Sequence, residues 1–285
     1  MPALEELLHC PAPAKLNLFL HIIGRRADGY HLLQSVFQLI DRCDYLDFKI
    51  QGERKISRTN QVAGVPEDQD LVIRAAHLLQ THCGITLGVE ITLHKNLAMG
   101  GGLGGGSSDA ATTLMALNHL WGCGSSEAEL MVLGLRLGAD VPFFIYGRNA
   151  FVEGIGEQIR EVTTPEHWFV VIEPGVQVAT PTIFSAEQLT RNTKPVRITD
   201  FSNAEKIDWK NDLQAVACSL HPQIQAALNW LADFGDAKMT GSGASVFCAF
   251  PDEGSAKRVL EKVPDQWKAW TAKALGQHPM KLRVS

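Results

Sequence analysis

The sequence predicts an α+β protein built as two lobes, and three observations predict it. Strand-like and helix-like patterns alternate unevenly along the chain, not in the regular order of a doubly wound sheet. A strand pattern runs through a glycine-dense stretch, "AMGGGLGGGSSDAA" at residues 98–111, directly into a helix pattern. After about Thr163 the mixture begins again with a new apolar strand, "WFVVIEP". That restart puts the first lobe at residues 1–163 and the second at 164–285.

Taken in order, "AKLNLFLHII" alternates as a strand, with Leu16, Leu18, Leu20 and Ile22 on one face and Lys15 and Asn17 on the other. Asp28-Gly29 then signals a tight turn. "LLQSVFQLI" and "DYLDFKI" read as two further strands, and residues 53–70 as a loop or weak hairpin. "LVIRAAHLLQTH" has helical spacing, and "GVEITLHKNL" alternates as a strand feeding the glycine stretch. The helix after the glycines takes Ser107 or Ser108 as its N-cap, with Asp109 in its first turn. "SEAELMVLGLRLG" is a helix opened by a Ser126–Glu129 capping box and stopped at Gly138. "DVPFFIYG" and "NAFVEGIG" read as a return to β structure.

In the second lobe, Thr180 and Pro181 are the N-cap and first residue of a short helix. A polar, proline-bearing stretch covers residues 191–212. "QIQAALNWLADFG" places Ile224, Leu228, Leu231 and Phe234 on one helical face. "AKMTGSGASVFCAF" is a glycine turn into a strand, followed by the helix "SAKRVLEKV" and a last strand.

Composition narrows the function. With 45% hydrophobic and 20% charged residues, the chain is ordinary globular protein rather than disordered. A net charge of −5 provides no basic field for nucleic acid or anionic membrane, so an anionic ligand must be held by local groups. Six scattered cysteines, without a C-x-x-C pair, favour reduced thiols over a disulfide scaffold or a zinc site. The N-terminal segment lacks the basic start of a signal peptide, and no apolar stretch reaches the length of a membrane span. The expectation is a soluble, cytoplasmic protein.

The glycine loop is the strongest chemical signal. A helix N-terminus presents unpaired N–H groups at a positive dipole end, and glycines let a bulky anion reach them. The loop has no lysine after its glycines, which excludes a Walker A motif. Gly100, Gly102 and Gly105 fit G-x-G-x-x-G, but so many glycines match that pattern almost automatically. The acidic residue a dinucleotide fold needs about twenty residues later is missing from a strand end. A mononucleotide phosphate loop remains, and its cation must come from elsewhere. Lys15 and Lys95 are the candidates, though each taken alone reads first as an exposed strand lysine. A base is needed to orient and deprotonate an acceptor hydroxyl. Asp140, on a connection between a helix and a strand, can serve or can be a plain turn residue. The pair Tyr30-His31 and the second glycine turn "MTGSGAS" are open to structural readings as well.

In combination, "PAKLNLFL", "AMGGGLGGGSSDAA", "LGADVPFF" and "MTGSGASVF" resemble the ordered motifs of the GHMP small-molecule kinases, over nearly the whole chain. The resemblance implies a ribosomal-S5-like N-terminal lobe, a ferredoxin-like C-terminal lobe and a site in the cleft between them. It implies ATP with its phosphates along Gly100, Gly101, Gly102, Leu103, Gly104, Gly105, Gly106, Ser107 and Ser108, with Lys95 nearby. Lys15 and Asp140 would be the catalytic pair. Mg²⁺ would accompany ATP, with Ser107 as a partner. "RRADGYHLLQSVFQ" and "LGADVPFFIYG" resemble the branch whose acceptor alcohol carries a cytidine diphosphate group and serves isoprenoid precursor synthesis. Asn17 would then contact the alcohol, and Tyr30, His31, Thr180 and Phe184 would surround the cytosine. The turn of Gly241, Ser242 and Gly243 would close over the substrate phosphates. The partner is thus a small molecule, not nucleic acid or membrane, and the protein is taken as a monomer or weak homodimer. A kinase for another small alcohol, or a nucleotide-binding regulator without turnover, are the competing readings. Two residues depart from the usual pattern of the family: Ala98, where proline is common, and Asp70, where asparagine is common.

Overall fold

The structure, a computed structural model, describes residues 5–61, 64–203 and 208–284. The first half contains β1 (Glu6–Arg25), β2 (His31–Gln51), β3 (Ile56–Arg58), α1 (Leu71–His82), β4 (Gly88–His94), α2 (Gly105–Leu120), α3 (Glu127–Leu135), α4 (Val141–Tyr146), β5 (Ala150–Glu153) and β6 (Gln158–Glu161). The second contains β7 (Trp168–Glu173), α5 (Thr180–Ser185), α6 (Ile198–Ser202), α7 (Gln214–Leu220), α8 (Pro222–Ala232), β8 (Lys238–Met239), β9 (Val246–Phe250), α9 (Glu253–Leu260) and β10 (Lys268–Lys273).

The strands make two sheets. In the first, the order is β3-β4-β2-β5-β6, with β1 also paired to β2. The second is β10-β7-β9-β8, antiparallel throughout. The two strands expected within residues 32–50 are one long strand, β2, which serves β1, β4 and β5 along different parts of its length. Its polar residues Gln34, Ser35, Gln38 and Asp44 are all buried. They are hydrogen-bonded inside the fold. The expected break, at Asp41, Arg42 and Cys43, stays within β2, opposite a register shift in β1 between Pro13 and Ala14.

One apolar cluster lies between the first sheet and α1 to α4, and a second packs α7 and α8 on the second sheet. A third joins the halves: Ala14, Leu16 and Ile40 meet Phe169, Val171, Phe247 and Trp270. Beyond β10 the chain returns to the first sheet. Leu275 N–H donates to Leu39 O at 2.8 Å, and the Arg283 guanidinium reaches the carbonyls of Leu8 and His9.

Several element ends differ from expectation. "VPFFIY" is the helix α4, not a strand. Its apolar run is buried on all sides, so it shows no helical period, and a short apolar run of that kind is ambiguous by pattern alone. The signals that mattered were Pro142 in the first turn and Gly147, at φ 72°, as the C-cap. The helix α3 opens on the expected Ser126–Glu129 capping box but ends at Leu135, before Gly138. In α5 the N-cap is Ala179, so Thr180 is already helical. Phe234 lies beyond the end of α8. No helix among the described residues is long and apolar enough to cross a membrane, and all six cysteines are free thiols.

Candidate active site

A cleft of about 970 Å³ opens between the halves. Its floor is the glycine loop and the start of α2. The N-cap of α2 is neither serine: it is Gly104, at φ 73°, with no side-chain cap. Ser108 N–H is the first donor to find a partner in the helix, Gly104 O at 2.9 Å. The N–H groups of Gly105, Gly106 and Ser107 therefore have no partner among the described residues. All three residues line the cleft, so the helix end is open to an anion. Ser108 does not: it is fully buried, and its hydroxyl has no partner among the described residues. A serine cap would have closed this end of the helix, and glycine leaves it open.

The loop is held from two sides. Lys15 N–H donates to Leu103 O at 2.9 Å. The second glycine turn lies directly against the first: Ala244 N–H and Ser245 N–H donate to Gly100 O and Gly101 O at 3.2 and 3.1 Å. At Gly102, φ is 74° and a Cβ would lie 2.1 Å from Thr240 O, so only glycine fits there. Gly241 and Ser242 line the cleft, and Thr180 and Ser242 share a hydroxyl hydrogen bond of 2.8 Å. Gly243 is not part of the cleft wall.

Lys15 and Asp140 come together on this floor. Lys15 is 3% exposed, which removes the exposed-lysine reading. Its Nζ lies 3.6 Å from Asp140 Oδ2 and donates to Asn17 Oδ1 at 2.6 Å. Burial lowers the Lys15 pKa, and the carboxylate of Asp140 opposes that shift. Asp140 joins two helices, α3 and α4, and stands at the N-cap of α4 without capping it. Its side chain therefore faces Lys15, one-third exposed to the cleft. The Asn17 amide is occupied within the protein: Oδ1 also accepts from Thr240 Oγ1 at 3.2 Å, and Nδ2 donates to Ser35 Oγ at 2.9 Å.

Lys95 is not a free cation. Its ammonium is held by Asp44 Oδ2 at 2.5 Å and Asp109 Oδ2 at 3.0 Å. Asp44 is fully buried, and its Oδ1 accepts the N–H groups of Asn96 and Leu97 at 2.6 and 2.8 Å. This carboxylate pins the segment between the end of β4 and Ala98, at the entry to the glycine loop. Burial pushes the Asp109 carboxyl up to about 7, against the pull of Lys95. No sequence pattern singled out Asp44, because its partners lie about fifty residues away.

Asp70 caps α1, accepting Val72 N–H at 2.9 Å, and pairs with Arg58. Both line the cleft, so the carboxylate faces it already neutralised by a guanidinium. At the other end of the cleft, the His31 and Phe184 rings lie 5.1 Å apart, with Tyr30 60% exposed beside them. Sequence reasoning missed Arg191, whose Nε donates to His31 Nε2 at 3.0 Å.

Comparison with known proteins agrees with this geometry. Residues 70–148 match the model of the GHMP kinases N terminal domain, and residues 195–269 that of the GHMP kinases C terminal. The chain is 64% identical over 279 residues to 4-diphosphocytidyl-2-C-methyl-D-erythritol kinase of Herminiimonas arsenicoxydans, covering 97% of this chain and 98% of the relative. It is 63% identical to the enzyme of the same name from Janthinobacterium sp. (strain Marseille), covering 96% of each. A crystal structure of 4-(cytidine 5'-diphospho)-2C-methyl-D-erythritol kinase superposes with a TM-score of 0.81 at 31% identity, covering 95% of this chain and 99% of that one. The protein is a GHMP kinase, a two-lobed α+β enzyme that phosphorylates a small molecule at the expense of ATP. Within that class the chain belongs to the family of 4-diphosphocytidyl-2-C-methyl-D-erythritol kinases.

Proposed function

We propose that this protein transfers the γ-phosphoryl group of ATP to the 2-hydroxyl of 4-diphosphocytidyl-2-C-methyl-D-erythritol, giving the 2-phosphate and ADP. The reaction is a step of isoprenoid precursor synthesis, carried out in the cytoplasm. Residues 1–163 bind ATP and residues 164–285 complete the substrate site, with Tyr30 and His31 contributed from the first half. The single observation that carries this reading is the meeting of Lys15 and Asp140 beside the open N-terminus of α2.

Phosphoryl transfer needs positioning and charge neutralisation more than covalent help from the protein. The free N–H groups of Gly105, Gly106 and Ser107 cradle the ATP phosphates. Asp140 accepts the proton of the acceptor hydroxyl as its oxygen bonds to phosphorus and the bond to the ADP oxygen breaks. Lys15 keeps Asp140 ionised and offsets negative charge on the transferring group. Asn17 aims Lys15 and lies beside the acceptor. Mg²⁺ fits the oxygen donors here: the Ser107 hydroxyl and the Asp140 carboxylate line one cleft. No acidic cage for a metal exists among the described residues, so the ion would arrive on the phosphates, whose charge it would neutralise.

The test is an ADP-release assay with ATP, Mg²⁺ and the cytidyl-diphospho-methylerythritol, run on wild type and Asp140→Asn. Wild type should turn over and the variant should lose on the order of 10²-fold or more in kcat. Equal turnover would remove Asp140 as the base. Turnover of mevalonate or homoserine in place of the cytidyl compound would overturn the substrate.

A further inference from the structure

Arg191 ties His31 to the chain around Phe184, and both of those residues line the cleft. Its Nε donates to His31 Nε2 at 3.0 Å. Its terminal nitrogens donate to four carbonyls at and just beyond the C-terminal end of α5: Phe184 O at 3.2 Å, Ala186 O at 2.7 Å, Glu187 O at 3.3 Å and Leu189 O at 3.1 Å. A guanidinium has five N–H donors and no acceptor. All five are used here, so neither its place nor its direction is adjustable.

The contact with His31 has a chemical consequence. Because Arg191 can only donate, Nε2 of His31 must offer a lone pair, and the ring proton sits on Nδ1. An imidazolium, which has no lone pair to offer, is incompatible with the same contact. Burial and the neighbouring charges of Arg191 and Arg25 also lower the His31 pKa, in keeping with a neutral ring. Nδ1 has no partner among the described residues, while His31 lines the cleft and its ring is held against Phe184. The ring therefore presents one fixed donor beside Phe184 in the wall of the cleft.

We propose that Arg191 sets base specificity by locking His31 as the Nδ1–H tautomer, so that the cleft offers a donor where cytosine has an unprotonated N3 and uracil carries an N–H. The proposal rests on the reading that the substrate carries a cytidine group. A uracil would face His31 donor to donor, leaving two polar groups unpaired, and a site built for one hydrogen-bond pattern rejects the other strongly. Arg191 is a positioning residue: it acts on the base only through His31.

Two measurements test this. The first is a two-bond ¹H–¹⁵N spectrum of the ligand-free protein at neutral pH, with His31 assigned by its loss in His31→Gln. The expected pattern is a protonated Nδ1 and an unprotonated Nε2, changing to mixed tautomers in Arg191→Met and partly restored in Arg191→Lys. A protonated Nε2 in wild type overturns the proposal. The second is kcat/KM for the cytidine substrate and its uridine counterpart. Wild type should prefer cytidine by roughly 10²-fold or more, Arg191→Met by less than about tenfold, with Arg191→Lys between them. An equal loss on both bases, with the ratio unchanged, would show a merely structural role and overturn the specificity claim. If wild type used neither compound, the proposed function and the specificity claim would fall together, and the spectrum would still decide whether Arg191 fixes the tautomer.

Discussion

Asp140 stands at the N-cap of a helix it does not cap, and turns its carboxylate to within 3.6 Å of Lys15 Nζ. Lys15 makes a shorter contact, 2.6 Å, with Asn17 two residues along the same strand. The lysine is thus held by a neutral amide and still free to serve the carboxylate and the phosphates. Lys15→Met should reduce kcat by on the order of 10²-fold or more. Asn17→Ala should keep the charge and lose its aim, with a smaller fall of about tenfold. Steady-state kinetics would show this order, and Asn17→Ala as damaging as Lys15→Met would mean that the amide does more than aim the lysine.

Asp44 gives a prediction about ATP alone. Its carboxylate accepts two backbone N–H groups before the glycine loop and the Lys95 ammonium. Asn at this position must turn its NH₂ toward a donor. Asp44→Asn should therefore raise the KM for ATP about tenfold or more and leave the acceptor KM near wild type. Losing these charge-assisted bonds should also cost about 1–3 kcal/mol of stability, because Lys95 keeps Asp109 as a partner. Unchanged ATP affinity in a destabilised variant would reduce Asp44 to a folding role.

Asp109 predicts a pH dependence of stability. Its carboxyl is raised by burial from 3.8 to about 7, so between these values the folded chain keeps a proton that the unfolded chain has released. Stability from this group is present at low pH and is lost as pH rises through that window, by up to about 4 kcal/mol. His278, buried and lowered from 6.5 to about 3, works oppositely: the stability it supplies is lost as pH falls below 6.5. Asp109→Asn isolates the first effect. Its melting temperature relative to wild type should rise steadily from pH 4 to pH 8; parallel curves would count against a shifted Asp109.

Gly102 links the two glycine turns. An alanine there would carry a left-handed φ and a Cβ 2.1 Å from the Thr240 carbonyl. The backbone term alone is roughly 1–2 kcal/mol, and the contact must also be relieved by movement. Gly102→Ala should melt several degrees lower and bind ATP more weakly, by calorimetry. Gly122→Ala shares the positive φ and meets nothing within 4 Å, so it should show the backbone cost without the loss of ATP binding.

Much of this was legible in the residues themselves. The Ser126–Glu129 box and the helix Leu71–His82 are local matters of period and capping, and the chain adopts them as its sequence predicts. The segment around Lys15 is a strand as expected, but it is buried on both faces and its register shifts between Asn17 and Leu20. The misreadings have a common cause. "VPFFIY" has no period because it is buried all round, and β2 reads as two strands because Asp41 and Arg42 interrupt its apolar pattern, where pairing with β1 across an irregularity keeps it one strand. Ser107 and Ser108 look like caps because serine usually is one; here the open end of α2 needs a glycine in the left-handed region.

The sequence by itself determined the two-lobed α+β class, the anion-binding loop and the residue types fit for phosphoryl transfer, because period, capping and glycine content are properties of neighbours along the chain. Only the tertiary structure decided which cation is available and which is neutralised. Lys15 lies in β1 and Lys95 directly follows β4, but Lys95 lies between two carboxylates, one of them from β2, while Lys15 meets an amide and the uncapping Asp140. Only the tertiary structure brought Arg191 across 160 residues to His31. Charge, proton position and hydrogen-bond direction depend on which groups lie within about 3 Å in space, and spacing along the chain does not specify that.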